Sequence, residues 1–126
     1  MLSEHPTYLI AGKKFYQQPV TLGQARLLLA RFKGYPLFSL QIEDLVGLLG
    51  EQVTAILAIV LIEEGTTLLE KVKGGSKALA EFESWLDVSA EPVEVAKVVS
   101  DFFVLKQLAR VLQLMPGPTV DPPLST

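Results

Sequence analysis

At 126 residues, with 11 basic and 14 acidic side chains, a net charge of −3 and a pI near 5.1, the chain has length for one hydrophobic core and lacks the basic balance that phosphate neutralisation needs. Nucleic acid is therefore not an expected partner. The absence of cysteine excludes disulfides, thiolate nucleophiles and cysteine-ligated metals. A hydrophobic content of 49 % and a mean hydropathy of +0.37 are high for a small monomer, so the surplus goes either into a helix-rich core of Leu, Val and Ala or into an interface.

The first six residues show neither a basic flank nor the apolar stretch of a secretory signal. His5, the single histidine, stands beside Pro6 and far from other polar clusters, which gives no support to a histidine-based triad or zinc site. Thr7 to Gln17 alternates as a hairpin does, and Gly12-Lys13 suits a two-residue turn that would set Ile10 against Phe15 and Leu9 against Tyr16. A lone hairpin is marginal in water. This one must dock on the helices, pair with another strand, or order on meeting a partner.

Thr21-Leu22-Gly23-Gln24 has capping-box spacing and predicts a helix to about Lys33, stopped by Gly34 and Pro36. Ser39 is placed to cap a second helix carrying Leu40, Leu45, Val46, Leu48 and Leu49, with Gly50 as its terminator or a kink. Glu51 to Ile62 is apolar nearly all round after its first turn and is the expected core helix, closed by Glu63-Glu64-Gly65. Its longest apolar run, Ala55 to Ile62, falls well short of the roughly 20 residues that cross a bilayer, so no membrane role is expected.

Thr66 to Val72 reads as a short helix or an ordered connection, and Gly74-Gly75 as a flexible break. A helix from Ser76 through Leu86 would turn Leu79, Phe82, Trp85 and Leu86 inward. Ser89 to Pro92 opens the last helix, with proline in the first turn where its missing N–H costs nothing, and that helix runs to Met115. Residues 116–126 hold four of the eight prolines and are expected to form an extended tail outside the single domain of residues 1–115. The expected class is thus mainly α: about five helices with a short N-terminal hairpin at about 7–17.

The last helix changes its apolar side. Val95, Val98, Val99, Phe102 and Phe103 form one stripe, whereas Val104, Leu105, Leu108, Val111, Leu112 and Met115 cluster on the side that carried the charges. Either the helix bends or breaks between Phe103 and Lys106, or its halves bury against different things. In a straight helix Val104, Leu108, Val111, Leu112 and Met115 would be partner-binding anchors in another protein's groove. The bend would fold them onto the core instead, and no glycine or proline lies between Val93 and Met115 to make one.

Chemistry is thinly represented. The close carboxylate pairs Glu43-Asp44, Glu63-Glu64 and Glu81/Glu83 are helix neighbours pointing different ways and read as solvated surface. Gly74-Gly75-Ser76 lacks the spacing of a phosphate loop, and Trp85 and Phe102-Phe103 at helical spacing read as core. No catalytic, cofactor-binding or metal-binding residue is expected, and the chain is read as no enzyme.

The hairpin ending "GKKFY", the helix opening "VTLGQARLLL", the apolar "ILAIVLIEEG" and the run "WLDVSAEPVEVAKVVSDFF" before a terminal helix together resemble the small tail assembly chaperones of long-tailed bacteriophages, over most of residues 7 to 115. That resemblance implies a mostly helical, non-enzymatic protein that coats the tape measure protein in the host cytoplasm before the tail tube polymerises. It also implies that a longer frameshifted form shares this chain as its N-terminal part. The alternative is a self-associating structural subunit of the phage particle, a homo-oligomer that uses its hairpin for strand addition.

Overall fold

The structure, a computed structural model, describes residues 5–36, 39 and 41–114. The elements among them are β1 (Thr7–Ile10), β2 (Lys13–Tyr16), α1 (Leu22–Arg31), α2 (Ile42–Val60), β3 (Ile62–Glu63), α3 (Leu68–Lys73), α4 (Gly75–Ser89), α5 (Pro92–Val104) and α6 (Gln107–Leu112). The protein is mainly α, with a small three-stranded antiparallel sheet in the order β1-β2-β3. The Pro-rich segment expected at 116–126, and Met115 before it, lie outside the described residues.

The hairpin turns one residue earlier than Gly12-Lys13. Ala11 and Gly12 both take positive φ, 51° and 85°, the pair a type I′ turn requires. Tyr8 therefore faces Phe15 and Leu9 faces Lys14. Each partner moves two residues along, so the faces are unchanged: Tyr8, Ile10 and Phe15 are buried while Leu9 and Lys14 are exposed. This register lets the Ala11 N–H donate to Glu94 Oε2 at 3.3 Å and lays Lys13 over the Trp85 ring, Nζ 5.2 Å from its centroid. The hairpin is docked on its own domain from both edges, by β3 alongside β2 and by the Tyr8 hydroxyl, which donates to Asp101 Oδ2 on α5 at 3.0 Å.

α2 is one helix of 19 residues where the glycines predict two. It starts after Gln41, whose N–H donates to Asp44 Oδ2 at 3.1 Å, rather than at Ser39. Gly50 neither ends nor caps it, because the half that follows is enclosed on every side from Ala55 to Val60 and that burial carries the helix through a poor helix former. Among the described residues nothing lies within 4 Å of a Cβ built on Gly47 or Gly50. Changing either to alanine should therefore raise the unfolding free energy by about 0.5–1 kcal/mol, readable as a higher urea midpoint at constant slope.

The apolar run does not stay helical to Ile62. Leu61 turns extended (φ −81°, ψ 134°), and Ile62 and Glu63 pair with Tyr16 and Phe15 as β3. The end of α2 is thereby buried with no glycine to cap it. Its last carbonyls are met from a distance: the Gln24 Nε2 donates to Ile59 O at 3.0 Å, and Lys71 Nζ on α3 donates to Ala58 O at 2.6 Å, Ile59 O at 3.0 Å and Leu61 O.

Gly74-Gly75 is a tight helix-to-helix junction. Gly74 closes α3, Gly75 (φ 74°) opens α4, and a Cβ on Gly74 would lie 2.7 Å from that of Ala78. α4 continues past Leu86 to Ser89, and its Phe82 stacks on both Phe15 and Trp85 while Trp85 is tilted against Phe15, ring centroids 5.5–6.1 Å apart.

Candidate functional site

The change of apolar side in the last helix is a break. α5 opens as its sequence predicts, with Pro92 in the first turn and reciprocal Glu91–Glu94 capping, and it buries Val98 and Phe102. Lys106 then adopts a left-handed conformation (φ 57°, ψ 38°), which a non-glycine residue reaches only at some cost. α6 folds back toward α1. In this fold the five expected partner anchors do not form one exposed stripe. Val111 is fully buried, Leu108 and Leu112 pack half-buried against the core, Val104 is 72 % exposed, and Met115 lies outside the described residues. The reason is geometric: beyond the left-handed residue the second stripe becomes the inner side of α6.

The polar residue that fixes this arrangement is Gln107, fully buried. Its Nε2 donates to Gln18 O at 2.7 Å and to Gln17 Oε1 at 3.3 Å, and its Oε1 accepts from the Val20 N–H at 3.0 Å. Gln17, buried as well, donates from Nε2 to the Tyr8 hydroxyl at 2.8 Å and to Val98 O at 3.3 Å. One polar chain thus joins the hairpin, α5 and α6. Burial also pushes the Tyr8 hydroxyl well above its usual pKa, which keeps it a donor to Asp101.

A different apolar face stands open. Ile42, Val46, Leu49, Val53 and Leu57 follow i, i+4, i+7, i+11, i+15 spacing and fall within about 80° of one another on α2. Ile42 and Val46 are 75 % and 65 % exposed, Leu49 and Val53 are half-buried and Leu57 is buried, so the stripe descends from solvent into the domain. It ends in a cleft of about 240 Å³ between α2, the end of α4 and the start of α5, lined by Val53, Leu57, Leu86, Ala90, Pro92 and Val95. The Thr54 hydroxyl donates to Asp87 Oδ1 across one wall at 3.1 Å. A helix break assumed at Gly50 hides this face in the sequence. Once the phase is carried through Gly50, the stripe is legible.

Among the described residues no three His, Asp or Glu side chains gather as a metal-ligand set, and no helix is long and apolar enough to cross a membrane. His5 stacks on Tyr16, ring centroids 6.0 Å apart. No protein-family model, curated protein or solved structure matches the chain.

Proposed function

We propose that this protein is a non-enzymatic assembly chaperone for a helical protein client, acting in the host cytoplasm as the tail assembly chaperones it resembles act on the tape measure protein. The observation that supports this reading best is the α2 stripe, two of whose large apolar side chains stand open at helix-docking spacing above a ready cleft. A long amphipathic client needs such a surface to cover its apolar side until assembly. A net negative charge helps keep the surface from self-association.

In a phage that encodes this chain, a stop codon early in its reading frame should leave the tape measure protein aggregated and yield no tails by electron microscopy, with supply of the chain in trans restoring both. Normal tails without the chain would refute the proposal. Recovery of the chain in finished particles would favour the structural-subunit reading instead.

A further inference from the structure

Within that reading, we infer that the α2 trough is an acidic-walled groove for a basic amphipathic helix of the client, lying along Ile42, Val46, Leu49 and Val53 with its end seated in the cleft beside Pro92. The stripe from Ile42 to Val53 spans 11 residues, about 16 Å at 1.5 Å per residue, which matches roughly three turns of a partner helix.

Three observations select this occupant. The acidic side chains nearest the stripe are of one sign: Glu43 flanks it on α2, Asp87 lines the cleft and Glu91 precedes Pro92 at its rim, while neither α2 nor the segment 84–96 contains a lysine or arginine. Among the described residues the ion pairs are Arg31 with Glu83 and Lys97 with Asp101, so none of these three carboxylates is paired with a cation, although Asp87 accepts from the Thr54 hydroxyl. A second copy of this chain would bring acidic wall against acidic wall, an arrangement that like charges oppose. Gly50, beside the stripe, is the third observation. It weakens α2, no atom of the described residues lies within 4 Å of its Cβ position, and a helix lying in the trough could come close to its bare backbone.

The test uses the full chain and two synthetic 18-residue amphipathic peptides with the same leucine face, one flanked by lysines and one by glutamates, followed by fluorescence anisotropy. The lysine peptide should bind and the glutamate peptide should not. Raising salt from 0.05 to 0.5 M should weaken binding by about tenfold. Ile42→Glu and Val46→Glu should each weaken it at least about tenfold with unchanged melting, because both side chains lie in solvent and a glutamate at position 42 suits the start of a helix. Removing two wall charges by Glu43→Gln with Glu91→Gln should weaken it several-fold at low salt only.

Equal binding of both peptides, or binding indifferent to the two glutamate substitutions, overturns the inference. So does a parent dimer in light scattering that Val46→Glu turns into a monomer, since a second copy would then occupy the trough. If the tape measure protein itself binds parent and variants alike, the trough assignment falls while the chaperone reading stands. If the lysine peptide binds as described and the tape measure protein does not, the trough assignment stands and the chaperone reading falls.

Discussion

Lys71→Met should lower the unfolding free energy by about 2–4 kcal/mol in urea titration, although it replaces a charged residue with an apolar one of similar length. α2 ends inside the domain, where Ala58, Ile59 and Leu61 are all buried, and three of its terminal carbonyls accept from the Lys71 ammonium. Ile59 O keeps Gln24 as a second donor, whereas methionine leaves Ala58 O and Leu61 O without that donor in a place water reaches poorly. Burial pushes the Lys71 pKa down to about 7, while the negative end of α2 and the three acceptors favour the ammonium, since a neutral amine donates to only two of them. The same side chain lies over the Phe82 ring, 5.4 Å from its centroid, and so ties α3 to α4 as well as to α2. α3 buries no residue fully, which makes this one side chain its main attachment. Lys73→Met, at an exposed position two residues away, should change stability by no more than about 0.5 kcal/mol, and the contrast isolates the cap from the loss of a charge. Equal effects at both positions would mean that Lys71 caps nothing.

Elements announced by local chemistry were legible in the sequence. Thr21 with Gln24 and Pro92 after Glu91 each mark a helix start within four residues, and the structure starts helices there because the orphaned N–H groups find those side chains. The hairpin was legible as alternation, but its turn was displaced, since a positive φ at Ala11 is not something its residue type advertises. What escaped was non-local. Gly50 reads as a stop in isolation, and only the enclosure of Ala55 to Val60 by the rest of the domain makes α2 continuous. The strand β3 hides in a run apolar in every direction, where periodicity cannot tell helix from strand. The cap from Lys71 crosses 13 positions to Ala58 and leaves no mark in either segment. The candidate site divides in the same way. The phase change near Phe103 was visible, but the break itself falls on Lys106, which gives no sign of a left-handed turn, and the trough on α2 could not be seen while the helix was cut at Gly50.

Gln107→Leu should lower the unfolding free energy by about 2–3 kcal/mol and loosen α6 before the rest of the domain. The leucine matches the apolar surroundings in character but leaves the Val20 N–H, Gln18 O and Gln17 Oε1 without the partners they have in the parent. Those groups are spread over the segment after the hairpin, so the deficit falls on the seam between that segment and α6. Hydrogen exchange should accordingly rise first in Gln107–Leu112 and in Val20, with the amides of α2 from Ala55 to Val60 still protected. Lys106→Gly acts on the same seam with opposite sign. Glycine takes the left-handed conformation without the steric cost that lysine bears, and this should slow exchange in α6 and raise stability by about 0.5–1 kcal/mol. Neither substitution touches Ile42, Val46 or the cleft beside Pro92. Client binding that tracks the state of α6 across this pair would therefore bring Leu108 and Val111 back as contact residues exposed by undocking. Binding that stays constant while α6 exchange changes would leave the α2 trough as the client surface.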